Sequence, residues 1–179
     1  KSRTEALQAL RASFYEGELA DAILAHHQKQ DGLFQSSDLS NYKGDWEVSI
    51  QGSYKNLVLH VNGTWSQGIA LPMALSILEQ LDLQSMGQNS ASYIHHLTQA
   101  IELAMSDRES YVGDSRFVQV PIKELISPSY GKQRVGLLTT QAYTQFPPAS
   151  QIIGYQPFPF ELPQQGESKP RIIGDDTSQ

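Results

Sequence analysis

The stretch from residue 89 to residue 121, NSASYIHHLTQAIELAMSDRESYVGDSRFVQVP, joins a helix with defined ends to a densely patterned loop, and no other part of the chain restricts the fold as much. Asn89 or Ser90 can cap the helix by accepting a backbone N–H bond, and Ile94, Leu97, Ile101, Leu103, Ala104 and Met105 recur near helical spacing. The pattern predicts a helix to about Arg108. Asp107-Arg108, Tyr111-Val112-Gly113-Asp114 and Phe117-Val118-Gln119-Val120-Pro121 then punctuate the loop that follows.

Elsewhere the periodicity predicts a helix over 4–15, a break at Gly17, a helix to about Lys29 and a turn at Asp31-Gly32. Two strands are expected over 46–51 and 54–61, the second closed by Asn62-Gly63. Residues 68–80 read as a buried helix in which Pro72 is tolerated because it falls in the first turn. Short helical pieces follow at 122–126 and 128–138. From Phe146 onward the chain holds six of its nine prolines without a sustained period, the composition of an extended segment lying on something else or of a partly disordered one. The chain therefore divides into 1–145, a region of helices and strands, and 146–179, an extended Pro-rich tail.

Charge and composition exclude several classes. A formal charge of −6 leaves no basic footprint for nucleic acid, and the longest apolar run, 69–78, is too short to span a bilayer. With no cysteine in its 179 residues the chain has no disulfide, no thiolate zinc site and no cysteine nucleophile. The adjacent pairs His26-His27 and His95-His96 point about 100° apart on a helix, so neither makes the i, i+4 chelate that a metal-binding helix uses. No metal site and no cofactor are expected. Phosphate-cradling glycine loops are absent as well.

Ser66, before Gln67-Gly68, stands in a turn where Thr64 replaces the first glycine of a nucleophile elbow, so a turn-forming or pocket-lining role outweighs nucleophilic attack. Asp107 and Arg108 could grip a substrate carboxylate. The stronger expectation is structural, the pair tying the helix end to the following loop with the cation favouring the helix dipole. Asp114 after Gly113 reads as a turn-forming acceptor. Tyr54 and Trp65 fit either core or pocket wall, and Glu18, Asp21, Glu79 and Asp82 fit solvated faces and caps.

The order and spacing of the Asp107-Arg108, Tyr111 to Asp114 and Phe117 to Pro121 steps resemble the gamma-glutamyltranspeptidase family. So do Phe14-Tyr15-Glu16-Gly17-Glu18-Leu19-Ala20, Asp31-Gly32-Leu33-Phe34 with Ser37-Asp38-Leu39, and Ile77-Leu78-Glu79 with Leu81-Asp82-Leu83. Residues 12–140 carry the likeness. The chain departs at Asn62-Gly63-Thr64-Trp65-Ser66-Gln67-Gly68, where relatives usually have prolines before a Ser-Ser-Gly-Gly or Ser-Gln-Gly turn, and the Ser-Gln-Gly version looks more like the acylase-like branch.

The resemblance implies an α+β fold, part of a four-layer αββα N-terminal-nucleophile hydrolase sandwich, with this chain supplying mostly outer helices and a few strands. It implies the C-terminal part of a large subunit without catalytic residues of its own. The nucleophilic Thr would head a small subunit cut from the same precursor, and the arginine that holds the substrate carboxylate would lie upstream, before Lys1. The substrate would be a gamma-glutamyl or other acyl amide. Trp65, Ser66, Gln67 and Gly68 are the expected contributors to the substrate pocket, Asp107, Arg108, Gly113 and Asp114 the structural motif, and Gln179 the residue at the autocleavage point. Lys1 is not an initiator Met and opens directly into a helical pattern, so preceding sequence is expected. By the resemblance a periplasmic or extracellular setting is favoured over a cytoplasmic one. Its alternatives are an acylase for glutaryl amides or poly-gamma-glutamate, or a noncatalytic scaffolding homologue. The isolated chain is expected to be insoluble or molten.

Overall fold

The computed structural model describes residues 2–159, which form two compact units, one over residues 2–47 and the other over 48–159. In the first, α1 (Arg3–Tyr15) starts in a capping box in which Glu5 N–H donates to Ser2 Oγ at 3.3 Å and Ser2 N–H donates to Glu5 Oε2 at 2.7 Å. Gly17 separates it from α2 (Glu18–Lys29). A Cβ at Gly17 would lie 2.9 Å from Ser13 O, so the reversal needs glycine. Asp31, at φ 54°, turns the chain out of α2 toward α3 (Ser36–Ser40), a short helix missing from the sequence expectation. Tyr15 stacks on Tyr42 at 5.5 Å between ring centroids.

In the second unit, β1 (Ile50–Tyr54) pairs antiparallel with β2 (Leu57–Val61) in the register Ile50 to Val61 and Tyr54 to Leu57. The expected strands over 46–51 and 54–61 are thus corrected. Trp46 lies outside any strand and is almost fully exposed, Gly52 is inside β1, and the turn falls at Lys55-Asn56. The physical reason is packing. A Cβ at Gly52 would stand 2.5 Å from Pro72 Cβ, so glycine lets the strand lie against the helix instead of marking a turn. Lys55, at φ 53°, donates its N–H to Glu79 Oε1 at 2.5 Å and docks the hairpin on the following helix. Glu79 is therefore more than a solvated face.

Helix α4 (Ala70–Leu78) carries Pro72 in its first turn and buries Met73, Ile77 and Leu78. Asp82 caps α5 (Leu83–Met86), a turn the sequence did not announce, by accepting from Ser85 N–H at 3.2 Å. Ser90 caps α6 (Ala91–Tyr111), which runs three residues past the expected end. Then come α7 (Ile122–Leu125) and α8 (Pro128–Arg134), the latter continuing into a 3-10 turn, Val135–Leu137. The core is Ile69, Met73, Ile77, Ala100, Leu103, Leu125 and Tyr130, with α4 between α6 and α8. At the α4 and α8 contact a Cβ on Gly131 would come 2.1 Å from Ser76 O. The described content is α+β, rich in helix with one two-stranded ribbon.

Candidate functional site

The loop from Asn62 to Gly68 leaves β2 and returns at the start of α4 as a closed knuckle. Ser66 N–H donates to Gly63 O at 3.0 Å, Ser66 Oγ donates to the same oxygen at 2.9 Å, and Gly68 N–H donates to Ser66 Oγ at 3.2 Å. The Ser66 hydroxyl is thus occupied by main chain. Gly68 is the closing point, since a Cβ there would be 3.1 Å from Asn62 N. The knuckle then passes into α4 through Ala70 N–H donating to Gln67 O at 3.0 Å. Thr64 is buried inward, and its hydroxyl has no hydrogen-bond partner among the described residues. Trp65 is 60% exposed, so the knuckle displays a large aromatic on a constrained loop.

Asp107 and Arg108 go to different places. Asp107 is wholly buried, and its Oδ2 accepts from Tyr130 OH at 2.7 Å and Ser150 Oγ at 3.0 Å, while Oδ1 accepts from Ser150 N–H at 2.5 Å. Arg134 completes the set with Nε 3.0 Å from Asp107 Oδ2, an ion pair without hydrogen-bond alignment, and donates from Nη2 to Leu103 O at 3.1 Å. This network joins α6 to α8 and to the irregular segment around residue 150. Burial pushes the Tyr130 hydroxyl pKa well up, and the Asp107 charge adds to the effect. Arg108 pairs with its neighbour Glu109 at the partly exposed end of α6.

Gly113 and Asp114 form the next turn. Asp114 O accepts from Phe117 N–H at 2.9 Å and Val118 N–H at 3.0 Å, and its carboxylate accepts from Arg116 N–H at 2.9 Å. The Arg116 guanidinium also binds that carboxylate, at 2.5 Å for Nη2, and lowers its pKa, mainly through the side-chain hydrogen bond.

Tyr130, Arg134, Ser150, Gln99 and Ser106 were not singled out by sequence. Gln99, Ser106, Asp107 and Ser110 share one face of α6, all buried, and that polar stripe receives residues 139–158. Gln99 Nε2 donates to Gln141 O at 2.8 Å, Ser106 Oγ to Pro147 O at 2.6 Å, Tyr111 OH to Ser150 O at 2.5 Å, and Phe158 N–H to Ser110 O at 2.7 Å. A cleft of about 930 Å³ lies between α6 and this segment, and none of Trp65, Ser66, Gln67 or Gly68 lines it. Gln179 lies outside the described residues.

Within the described residues no group of three His, Asp or Glu is placed to hold a metal ion, and no helix is long and apolar enough to cross a membrane. His95 Nε2 lies 2.7 Å from Thr139 O and His96 Nδ1 2.8 Å from Ser92 O, each engaged by main chain. The arrangement offers an exposed aromatic on a hydrogen-bonded loop at Trp65 and a buried clamp at Asp107.

The family described as gamma-glutamyltranspeptidase matches residues 5–177. The chain is 36% identical over 124 residues to a glutathione hydrolase proenzyme of Pseudomonas aeruginosa, covering 68% of this chain and 22% of that one. It is 31% identical over 130 residues to the acylase ACY 1 proenzyme of Pseudomonas sp. strain V22, covering 72% and 23%. Its structure is similar to the crystal structure of Helicobacter pylori gamma-glutamyltranspeptidase, with a TM-score of 0.64 at 30% identity over 77% of this chain and 41% of that one. The chain spans about a quarter of the length of these curated relatives.

Proposed function

The chain belongs to the gamma-glutamyltranspeptidase family, as an α+β piece of its N-terminal-nucleophile hydrolase sandwich, and we propose that it forms the C-terminal part of the large subunit of a gamma-glutamyl amidohydrolase or transferase. One observation carries the reading: the family match runs through residue 177 with the Asp107 to Pro121 block intact, while the Ser66 hydroxyl is taken up by main chain and the Ser49 Oγ and His60 Nδ1 pair, 2.9 Å apart, stands exposed on the hairpin. On this proposal the chemistry belongs to chain outside residues 1–179. In this reading Gln179 precedes a Thr whose hydroxyl attacks the Gln179 carbonyl, the amide C–N bond breaks to leave an ester and a free Thr amine, and water then hydrolyses the ester to the Gln179 carboxylate and the Thr hydroxyl. That amine then takes the proton of its own hydroxyl as the oxygen attacks the gamma-glutamyl carbonyl, the leaving amine departs protonated, and water or an acceptor amine releases the acyl group. Residues 1–145 would be the structural part and 146–179 the tail leading to the cleavage point. The names of the proenzyme relatives are consistent with such processing.

Replacing the Thr encoded after Gln179 by Ala tests this directly. The expected product is one uncut polypeptide without activity. A chain still ending at Gln179 by intact mass would show that another protease cuts there.

A second reading, an acylase for glutaryl or other acyl amides, is favoured by Ser66-Gln67-Gly68 with Trp65 exposed beside it, and by the 31% identity to an acylase proenzyme. Rates on a gamma-glutamyl anilide and on a glutaryl amide separate the two, because only a glutamyl pocket contains groups left unpaired when the alpha-amine is removed.

A further inference from the structure

Residues 139–158 are held on α6 chiefly by their main chain. Gln99 Oε1 accepts from Thr139 N–H at 3.0 Å while its Nε2 donates to Gln141 O, and Ser106 Oγ donates to Pro147 O. Further along, Asp107 accepts from Ser150 N–H, Tyr111 OH donates to Ser150 O, and Ser110 O accepts from Phe158 N–H. The buried apolar core, by contrast, draws no residue from this segment among the described residues. A helix face that only filled space would carry leucines here. Helix α6 instead buries Gln99, Ser106 and Asp107, groups tolerated away from water only when each is bonded. The ties therefore fix where the segment runs along α6.

We propose that residues 139–158 form a strap whose clasp on α6, with Ser106, Asp107 and Tyr111 as positioning residues, sets the rate of self-cleavage after Gln179. The inference rests on the proposed function and adds to it the device that presents the cleavage point. Phe158, the last tie among the described residues, stands about twenty residues before Gln179, and Gln141 nearly forty. Transfer of the Gln179 acyl group from the nitrogen to the hydroxyl oxygen of the following Thr needs that oxygen held against the carbonyl. A chain fixed nearby loses less entropy in reaching this geometry than one fixed twice as far away. Once water has hydrolysed the ester, the strap has no further part in turnover.

The test uses the complete gene product, made by cell-free translation and followed over time by intact mass of the uncut and cut chains. Ser106→Ala, Tyr111→Phe and Ser150→Pro combined remove the ties at Pro147 and Ser150, and leave Asp107 its contacts with Tyr130 and Arg134. This variant is expected to cut roughly threefold more slowly, the effect of doubling the length of a closing chain, while its cut form keeps the wild-type kcat and KM on a gamma-glutamyl anilide. Ile77→Val, which trims the buried core of α4 away from the strap, is expected to cut at the wild-type rate. Equal cutting rates in the triple variant and the wild type overturn the proposal. So does equal slowing in Ile77→Val, which would make global stability the cause, and so does a lowered kcat in the cut triple variant, which would place the strap in turnover. A wild-type chain that stays uncut removes the self-cleavage reading and this inference with it, whereas a wild type that cuts no faster than the variant removes this inference alone. If the triple variant does not fold, Tyr111→Phe alone decides by the same comparison of cutting rate with kcat.

Discussion

Asp107 Oδ1 accepts the backbone N–H of Ser150 at 2.5 Å across 43 residues of sequence. The same carboxylate takes Tyr130 OH and the Arg134 ion pair, so one side chain of α6 fixes both α8 and the segment that crosses it. A carboxylate removed from water is tolerated only when its acceptor sites are filled, as they are here. Asp107→Ala leaves Arg134 buried and uncompensated, and the unfolding free energy is expected to fall by about 3–5 kcal/mol. Tyr130→Phe removes one donor and costs about 1 kcal/mol, and Glu109→Gln, at the partly exposed pair with Arg108, costs about 0–1 kcal/mol. Denaturant titration of the three variants in the complete protein checks the order. A loss for Asp107→Ala no larger than for Glu109→Gln would remove the clamp from the account.

Gly131 gives a second, steric prediction. The Cβ of Gly131→Ala would stand 2.1 Å from Ser76 O, and a backbone oxygen inside α4 cannot swing away as a flexible side-chain end can. The helices must separate, at a cost of about 1–3 kcal/mol or more. Gly136→Ala, where nothing lies within 4 Å of the added atom, is expected to stay within about 0.5 kcal/mol. Comparison of the two melting curves tests the close approach of α4 and α8.

Local signals made much of this fold legible. Ser90 as a cap, Pro72 in a first turn, Gly17 as a break and the Gly113-Asp114 turn were readable because each depends on residues within a few positions of itself. The strand limits were not, because Gly52 serves a contact with Pro72, twenty positions on. Helix α6 misled by its apolar residues. Ile94 and Ile101 are 51% and 46% exposed, while Gln99, Ser106 and Asp107 are buried, since the element packed there presents main-chain groups that need polar partners. Arg134 and Ser150 gave no warning, for a long-range partner leaves no periodicity. Of the expected site, Trp65 to Gly68 fall in one knuckle and Gly113-Asp114 in one turn, whereas Asp107 and Arg108 diverge.

The turn at Asp114 should be visible in its titration. Arg116 holds the carboxyl below the ordinary aspartate value through a side-chain hydrogen bond, a backbone hydrogen bond and charge. A depressed folded pKa contributes stability that is present above the unfolded value of about 3.9 and lost as pH falls through the folded one. Because Arg116 is largely exposed and Asp114 partly so, the readout is the carboxyl itself. In Arg116→Ala its NMR titration midpoint is expected to rise toward the ordinary range. An unchanged midpoint would mean that the pair does not form in solution.

The knuckle at residues 62–68 separates display from chemistry. Trp65 stands 60% exposed on a loop whose hydrogen bonds include Ser66 N–H and Oγ to Gly63 O and Gly68 N–H to Ser66 Oγ, none of which uses the indole ring. If Trp65 forms part of the acyl pocket, Trp65→Ala changes the ratio of kcat/KM between a gamma-glutamyl anilide and a glutaryl amide, by roughly tenfold for contacts of this kind. The denaturation midpoint should move little, the side chain being 60% exposed. Ser66→Ala should do the reverse. Its hydroxyl joins Gly63 O to Gly68 N–H, so its loss costs about 1 kcal/mol of stability while turnover persists. A lowered melting point with unchanged donor preference in Trp65→Ala would make the tryptophan a packing residue, and a folded but inactive Ser66→Ala would bring Ser66 into the chemistry.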